Sequence, residues 1–532
     1  MTTVDVAPAI RARRTTSNAS SDTNAFDDDD DDDEREVTMM GDAADAADAA
    51  DAADDDDAFD DEGGGVDGVA SPTECVMYVS SYTNVDILAH QPARHARHGE
   101  GKMTTTTTTT TTSVGEDADD DADERGGGGV VRAEAVGMAM SQYSLDARDG
   151  DENASSGDRG RCGVAAVHVV GVCERTGRAR VLRAKAARRG GLENVAFFAK
   201  HPHLPHVAYA STERIDERGK VLALRLIGDD GADFEVVGEA CSGGKSTCYM
   251  GFDRDGKHLL AASYWDAKLS VIPLQENGAT MHAPTLTISR PEADYVEHAK
   301  PSMEEHWRFR QRWAHTHCVV TEPYERRLHF VVDLGLDTIF IYNVESMQCV
   351  SEVVLPKGKG PRHLVFHPTI RAAYLVNELD STVSSFRVCL DDIDNPRLSL
   401  MQCIGSLPED VQAKKVFDPR GAWKAHSHSS EIRLHPSGRF LLVGNRGHDS
   451  IAVYAINQDD GLITLMDIVA SGGACPRNFN FTPSGKFVLV GNQNSHNLAS
   501  FSFCEHTGRM SMVHCLTDIV SPNFIWTLPK VR

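Results

Sequence analysis

The sequence lacks any apolar run near the ~20 residues that a membrane-spanning helix needs, and its amino terminus lacks the apolar segment of a secretory signal. Its 12 cysteines include no Cys-x-x-Cys pair, which disfavours both a zinc site and a disulfide framework. No phosphate-binding glycine loop and no serine nucleophile elbow is recognisable. These absences predict a protein of a reducing compartment, expected in the cytoplasm, without a membrane partner, a bound metal or a nucleotide cofactor. The Arg- and Ser-rich IRARRTTSNASS is weakly similar to a transit segment, so an organellar location stays an alternative.

The first 160 residues have few of the branched and aromatic side chains that build a core. Residues 1–73 contain the runs DDDDDDDE and DAADAADAADAADDDD, and residues 91–160 contain nine consecutive threonines and GGGG. Such segments bury too little apolar surface to offset the loss of chain entropy on folding. The sequence therefore predicts a disordered acidic tail over 1–73 and a low-complexity insertion over 91–160, separated by a first strand within 74–90.

The negative charge of the chain is concentrated in the same region. The formal net charge is −26, but residues 1–160 hold 39 acidic and 11 basic side chains, which leaves 40 acidic and 42 basic ones for 161–532. The folded part is therefore nearly neutral and lacks the basic excess expected of a nucleic-acid-binding protein. We interpret the tail as a solvated spacer, whose protein partners the sequence does not identify.

From residue 161 onward the sequence repeats a phrase of turn, strand, turn and strand. HPSGRFLLVGNRGHDSIAVYAI begins at 435 and TPSGKFVLVGNQNSHNLASFSF begins at 482, an offset of 47 residues. Looser copies begin at 201, 253, 321 and 367. A period near 47 with four strands is that of a β-propeller blade. The Gly-His and Trp-Asp marks of WD40 repeats are missing, which argues against that class.

A seventh copy is divided between two distant parts of the chain. MYVSSYT at 77 resembles the second strand of a repeat, and SPNFIWTL at 521 resembles the first. If these strands pair, the ring closes without a long exposed edge. The prediction is an all-β, seven-bladed β-propeller over 161–532 that is closed by pairing of its terminal strands. Charged loops at 284–312 and 391–424 are expected on its surface.

In a blade, the start of the first strand and the end of the second strand lie at the same face of the ring. This rule places Arg362 and His363 of GPRHLVFH beside Asn377 and Glu378 of LVNELDS. Applied to the other repeats, it adds His315, His317, Asp333, His426, His428, Asn445, Arg446, Arg477 and Asn492. The histidines of the HP turns fall at the opposite face, where we expect them to cap turns. Convergence of histidines, arginines and an acid at one mouth of the central channel predicts a site there.

The phrases GPRHLVFHP, NELDS, PSGRFLLVGNRGHDSIAVY and PRNFNFTPSGKF together resemble those of the seven-bladed β-propeller lactonases. That family includes the bacterial propeller type of 6-phosphogluconolactonase and fungal carboxymuconate cyclase. The resemblance covers about 161–532 and MYVSSYT, but the low-complexity insertion interrupts its first blade. It implies hydrolysis of a sugar lactone, foremost 6-phosphogluconolactone to 6-phosphogluconate in the pentose phosphate pathway, without a cofactor. It also implies four catalytic residues: His317, Arg362, Glu378 and Arg477.

Lactone hydrolysis requires an activated water, a stabilised oxyanion and a fixed substrate. We expect Glu378 or His317 to take the proton from water and Arg362 to stabilise the oxyanion. His315 remains an alternative to His317, because a register slip of one residue would exchange them. The predicted clamp for a phosphate or carboxylate is Arg477 with Arg446 and His363. The remaining predicted substrate-binding residues are His428, Asn377 and Asp333.

Three other functions are compatible with the sequence. Glu378, Asp333, Asn445 and Asn492 carry oxygen ligands of the kind that calcium accepts, so a metal-dependent lactonase is one alternative. Carboxymuconate cyclisation is another, because its substrate is also a small polyanion. A propeller that binds a small anion or a protein without catalysis is the third.

Overall fold

The computed structural model describes residues 74–83, 165–186, 191–279, 281–289, 311, 313–413, 427–517 and 519–528. The predicted tail at 1–73 and the predicted insertion at 91–160 lie outside these ranges. So do His426 and parts of both charged loops. No helix within the described ranges has both the length and the apolar character to span a bilayer.

Within those ranges, the chain forms seven antiparallel sheets of four strands, and each sheet is one blade. Blade 1 consists of β28 (Pro522–Thr527), β1 (Glu74–Ser81), β2 (Ala165–Cys173) and β3 (Ala179–Ala186). Blade 2 consists of β4 (Val195–Lys200), β5 (Val207–Thr212), β6 (Lys220–Ile227) and β7 (Asp233–Cys241). Blade 3 consists of β8 (Thr247–Phe252), β9 (His258–Ser263), β10 (Lys268–Pro273) and β11 (Leu286–Ser289).

The other four blades follow in chain order. Blade 4 consists of β12 (Thr316–Thr321), β13 (Leu328–Asp333), β14 (Thr338–Asn343) and β15 (Cys349–Val354). Blade 5 consists of β16 (Pro361–Phe366), β17 (Ala372–Asn377), β18 (Thr382–Cys389) and β19 (Arg397–Gly405), followed by the short helix α1 (Glu409–Ala413). Blade 6 consists of β20 (His428–Leu434), β21 (Phe440–Arg446), β22 (Ser450–Ile456) and β23 (Ile463–Ala470). Blade 7 consists of β24 (Pro476–Phe481), β25 (Phe487–Asn492), β26 (Asn497–Phe503) and β27 (Met510–Leu516). The first strand given for each blade is its inner strand.

The ring closes as the sequence predicts. Strand β1 pairs antiparallel with β28, with Tyr78 opposite Trp526. The Tyr78 hydroxyl donates a hydrogen bond of 2.7 Å to the carbonyl of Gly231 in blade 2, and its ring packs edge-on against Phe198. The predicted seven-bladed, all-β propeller is therefore confirmed, including its closure by terminal strands.

The apolar core lies between the faces of neighbouring blades. The second strand of blade 5, β17, is buried at every residue, whereas its outermost strand, β19, is partly exposed. One cluster joins Phe330 and Ile341 of blade 4 to Leu364 and Leu375 of blade 5. Such contacts remove apolar surface from water on both faces of a blade, which fixes each inner strand relative to its neighbours.

Hydrogen bonds from histidines also join successive blades on the face of the HP turns. The Nδ1 atom of His367 accepts hydrogen bonds from the backbone of Thr369 and Ile370, at 3.2 and 2.9 Å. Because Nδ1 accepts, the proton lies on Nε2, which donates to the carbonyl of Gly438 in the next blade at 2.9 Å. The same arrangement links His201 to Gly256 and His435 to Gly485. The predicted turn-capping role of His367 and His435 is confirmed.

These histidines predict a pH-dependent stability. Burial lowers the pKa of His201, of His367 and of His435 below the usual value of 6.5. A group with a depressed pKa in the folded state stabilises the fold fully above its unfolded pKa, and this stabilisation is lost as the pH falls below it. We therefore expect the free energy of unfolding to fall between neutral pH and about pH 5.

The variant His367→Asn tests this origin. Its side-chain oxygen can still accept from the turn but does not titrate, and it loses the bond to Gly438. We expect a cost of about 1–3 kcal/mol at neutral pH and a weaker pH dependence than in the wild type, both measured by denaturant unfolding. An unchanged pH dependence would assign the acid sensitivity to other groups.

Candidate active site

A small cavity lies where the inner strands meet. Its volume is about 20 Å³, measured as the space open to the centre of a water molecule, which is room for about one water. Six of the seven inner strands supply its walls, and two further residues come from the ends of second strands. The lining residues are Ala196, Phe197, Cys248, His317, Arg362, His363, Arg477, Asn478, Asn523 and Phe524 from inner strands, with Tyr82 and Glu213.

The cavity residues owe their direction to β-bulges. In every blade within the described ranges, the pairing of inner and second strands shifts register near the start of the inner strand. In blades 4, 5 and 7 the shift falls at His317, Arg362 and Arg477. A bulge breaks the alternation of side chains along a strand, so the adjacent residues Arg362 and His363 both line the cavity. Three of the four predicted catalytic residues thus occupy the same position of the repeat.

Arg362 and Glu378 form a buried ion pair. The Arg362 Nε atom lies 3.1 Å from Glu378 Oε2, and the two residues are 4% and 1% exposed. Arg446 Nη2 approaches the same oxygen at 3.0 Å. The Glu378 backbone is fixed as well, since its N–H donates to the carbonyl of Gly360 at 2.7 Å. The carboxylate thus holds two guanidinium groups, and only one of them, Arg362, belongs to the cavity lining.

Arg477 contacts Tyr82 and Glu213, two cavity residues that the sequence did not predict. Its Nη2 atom donates to the Tyr82 hydroxyl at 2.6 Å, and that hydroxyl donates to Glu213 Oε2 at 2.5 Å. Burial acts to lower the pKa of Arg477, but Tyr82 and Glu213 outweigh it and raise the pKa above its usual value. Arg477 is therefore a permanent cation. Tyr82 and Glu213 follow the second strands of blades 1 and 2, so the strand-end rule applied to SSYT and ASTE could have found them.

The structure distinguishes between the two histidines of blade 4. His317 lines the cavity, and its Nδ1 atom lies 3.7 Å from the Sγ atom of Cys248. His315 instead stacks on Tyr264, with ring centroids 4.3 Å apart. Burial, followed by the charges of Arg362 and His363, lowers the pKa of His317 well below its usual value. His317 is therefore a neutral imidazole near physiological pH.

His363 is paired with an acid that the sequence did not reveal. Its Nδ1 atom lies 3.0 Å from Glu431 Oε1 on the inner strand of blade 6. Burial lowers the pKa of His363 to about 4, with Arg362 acting in the same direction. Burial acts to raise the pKa of Glu431, but Arg433, His363 and Arg362 outweigh it and lower the pKa to about 2. The pair is a neutral imidazole with a carboxylate at neutral pH.

Four of the five predicted substrate-binding residues lie away from the cavity lining, namely Arg446, described above, and Asn377, Asp333 and His428. Asn377 donates within its own blade, to Thr382 at 2.9 Å and to Ser384 at 3.0 Å. Asp333 accepts from the backbone of His315 and Leu336, at 2.8 and 3.0 Å. His428 contributes its carbonyl to Arg446, but its ring is not part of the lining. The strand-end rule fixes which end of the ring a residue occupies, and it does not fix the direction of the side chain.

The two asparagines suggested as calcium ligands each bond to neighbouring residues. Asn445 accepts from Ser406 and Ser429, at 2.7 and 3.1 Å, and Asn492 donates to the carbonyl of Ser471. Across the described ranges, no three His, Cys, Asp or Glu side chains form a cluster with the geometry of a metal site. The calcium site that the sequence suggested is therefore not supported by an acidic cluster in these ranges.

A larger groove lies between the outermost strands of blades 5 and 6. Its volume by the same measure is about 510 Å³. It is lined by Gln402, Ile404, Gly405, Leu407, Pro408, Glu409, Ile463, Thr464 and Leu465. This set has no histidine and no arginine, so it offers neither a neutral base nor a fixed cation.

Fold and cavity together define a seven-bladed propeller with a polar axial site built from several blades. The chain belongs to the lactonase family described as "Lactonase, 7-bladed beta-propeller", whose family model matches residues 166–526.

Two curated relatives share the name 6-phosphogluconolactonase. The Bacillus subtilis protein is 29% identical over 277 residues, which are 51% of this chain and 70% of that protein. The Formosa agariphila protein is 25% identical over 322 residues, which are 59% of this chain and 81% of that protein.

Solved structures have the same fold. The periplasmic gluconolactonase of Pseudomonas aeruginosa and a protein of Lactobacillus plantarum each match with a TM-score of 0.57 and 22% identity. Each comparison covers 69% of this chain and 96% of the other.

Proposed function

We propose that this protein is a lactonase that hydrolyses a sugar lactone at the axial cavity, foremost 6-phosphogluconolactone to 6-phosphogluconate, as a step of the pentose phosphate pathway. The observation that carries the proposal is the convergence of a buried Arg362, the neutral rings of His317 and His363, and the cation Arg477 around a space of water size. The two relatives named 6-phosphogluconolactonase support the same reaction.

Lactone hydrolysis gives distinct roles to the histidines and to Arg362. A neutral imidazole can take a proton from water, and both histidines of the lining are neutral near physiological pH. Arg362 offers fixed N–H donors to the carbonyl oxygen as it becomes an oxyanion. δ-Lactones open slowly in water unaided, so about 5–8 kcal/mol of barrier lowering suffices, at ~1.4 kcal/mol per decade of rate. An arginine and a histidine held in place can supply this.

Glu378 acts by holding Arg362. Its carboxylate contacts two guanidinium groups and does not belong to the cavity lining. Water bound in the cavity is therefore next to a histidine, and Glu378 keeps the Arg362 fork oriented. Of the two bases suggested by the sequence, a histidine of the lining is the one that this geometry supports.

The charge of the site suits an anionic substrate. Arg362, Arg433, Arg446 and Arg477 face three carboxylates, Glu213, Glu378 and Glu431. One cation remains uncompensated, and Arg446 and Arg477 are only partly buried, with 16% and 18% of their side chains exposed. We propose that these two side chains bind the phosphate of the substrate, as guanidinium forks do.

Arg477→Ala should raise KM for 6-phosphogluconolactone by about 10- to 100-fold with a much smaller change in kcat, because it removes a charge-assisted contact made equally in ground and transition states. Steady-state kinetics measure both constants. Arg477→Lys keeps the charge without the fork and should be intermediate. A fall in kcat at unchanged KM would place Arg477 at the reacting carbonyl instead.

Initial rates of 6-phosphogluconolactone hydrolysis above the spontaneous background test the proposed function. Acceleration proportional to protein concentration supports it. Tight binding of 6-phosphogluconate without acceleration would identify a non-catalytic anion binder, and faster turnover of carboxymuconate would identify a cyclase.

A further inference from the structure

Glu431 and His363 form a carboxylate–imidazole pair across two inner strands. Glu431 lies within the register shift of β20, between Ser429 and Ile432, and His363 follows the bulge of β16. The two residues are 2% and 5% exposed. Because β-bulges re-aim side chains beside active sites, an acid from blade 6 meets the imidazole of blade 5.

The contacts of the imidazole fix its proton. Among the described residues, Nδ1 has two polar neighbours, Glu431 Oε1 at 3.0 Å and Arg362 Nη1 at 3.4 Å. Arg362 Nη1 already donates to the carbonyl of Ser430. A lone pair on Nδ1 would face the carboxylate at the shorter distance, so the proton belongs on Nδ1 and bonds to Glu431. The lone pair then lies on Nε2.

With the proton on Nδ1, Nε2 is the ring atom that can accept a proton. It is buried and has no hydrogen-bond partner among the residues that the structure describes. His363 lines the cavity of water size. Buried polar atoms are almost always satisfied by protein or by water, so the cavity offers Nε2 a water molecule as its partner.

Glu431 is itself held in place. Its Oε2 atom accepts from the side-chain amide of Asn478 and lies 3.5 Å from Arg433 Nη2. Its Oε1 atom also accepts from the backbone of Ile432 at 3.1 Å. The carboxylate has little freedom to rotate, which fixes the tautomer and the orientation of the imidazole. A base oriented by a third group is a recurring arrangement in hydrolases.

We propose that His363 is the catalytic base that takes the proton from the attacking water, and that Glu431 is the positioning residue that keeps Nε2 unprotonated and directed into the cavity. This inference rests on the proposed lactonase function. It reassigns His363 from the phosphate clamp to the reacting water.

The proton and electron pairs balance without a further reactant. One O–H bond of water breaks, its proton goes to Nε2, and the water oxygen bonds to the lactone carbonyl carbon. The carbonyl electron pair moves to its oxygen beside Arg362. As the tetrahedral carbon releases the ring oxygen, Nε2 returns the proton to that oxygen, and the new carboxylic acid loses a proton to solvent.

The charged and titratable groups around His363 predict its pH behaviour. Arg362 adjoins it on β16, Glu431 and Arg433 face it from β20, His317 faces it from β12, and Tyr249 packs on it from β8. Burial, opposed by Glu431 but aided by Arg362 and Arg433, brings the pKa of His363 to about 4. Protonated Nε2 cannot accept, so kcat/KM should fall as the pH drops through about 4.

The deciding experiment compares Glu431→Gln with the wild type. The amide can donate to Nδ1 and so shift the imidazole proton to Nε2, so we expect kcat to fall by about 10²–10⁴-fold. KM and the dissociation constant of 6-phosphogluconate, measured by calorimetry, should change by less than about threefold. Glu431→Asp keeps the charge and should retain more activity than Glu431→Gln. If the glutamine variant does not fold, His363→Asn carries the test.

The variants His363→Asn and His317→Gln test which of the two imidazoles is the base. His363→Asn should lose activity while still binding 6-phosphogluconate, and whatever activity His317→Gln retains should show an acid limb of kcat/KM at the wild-type position. Wild-type kcat in Glu431→Gln, or in a His363→Asn variant that binds 6-phosphogluconate, would overturn the inference. In either case a wild-type protein that accelerates lactone hydrolysis keeps the proposed function. If the wild-type protein does not accelerate lactone hydrolysis, both the proposed function and this inference are rejected.

Discussion

Glu378→Gln should cost about 3–5 kcal/mol of the free energy of unfolding, because it leaves the buried Arg362 guanidinium without its carboxylate. Glu378 is 1% exposed and contacts both Arg362 and Arg446, at 3.1 and 3.0 Å. A neutral amide cannot compensate two cations in this setting. Denaturant unfolding at neutral pH measures the loss.

The same variant should lose most of its lactonase activity, since Arg362 would no longer be held at the cavity. Asp380→Asn is a matched control two positions along the chain. Asp380 pairs with Lys359 at 2.6 Å, and their side chains are 29% and 20% exposed. A pair of this exposure contributes about 0–1 kcal/mol. Equal stabilities of Glu378→Gln and Asp380→Asn would contradict the buried ion-pair account.

Arg362→Ala should reduce kcat by about 10²–10³-fold or more, because it removes the donor to the developing oxyanion. The side chain is 4% exposed and lines the cavity. Kinetics with 6-phosphogluconolactone measure the effect.

Arg362→Lys separates charge from geometry. Lysine keeps the positive charge beside Glu378 but lacks the planar fork. We expect the lysine variant to recover stability more fully than activity. If the alanine variant kept wild-type kcat, the oxyanion would have to be stabilised elsewhere.

The ring and its closure could be predicted because both depend on repetition. Each blade copies one pattern of turn residues and buried strands, so SPNFIWTL and MYVSSYT could be recognised as halves of one blade. The pairing of β28 with β1 bears this out. These patterns can be recognised in a sequence because the alternation of apolar residues indicates which strand positions are buried.

The direction of the site residues could be predicted only in part. The strand-end rule predicted that Arg362 and Glu378 lie close together, and in the structure they form an ion pair. Asn377 obeys the same rule but points into its own blade. Asn377 and Glu378 are consecutive, and the rule does not separate them; the register shift that turns Arg362 on the inner strand is likewise a feature that ordinary alternation does not foresee.

Glu431 was missed for a related reason. In SSEIRL it reads as one polar residue of an alternating strand, and no local feature indicates a partner. Its partner, His363, comes from another blade, 68 positions away. Contacts between repeats depend on the packing of the whole ring, so a single sequence does not reveal them.

The most direct test is a crystal structure of the protein with the lactam analogue of 6-phosphogluconolactone, whose amide resists hydrolysis. We predict its carbonyl oxygen within hydrogen-bond distance of Arg362, its carbonyl carbon facing the cavity beside His363, and its phosphate near Arg446 and Arg477. A lactam bound only in the groove between blades 5 and 6, or with its phosphate in the cavity and its carbonyl in solvent, would contradict an axial catalytic site.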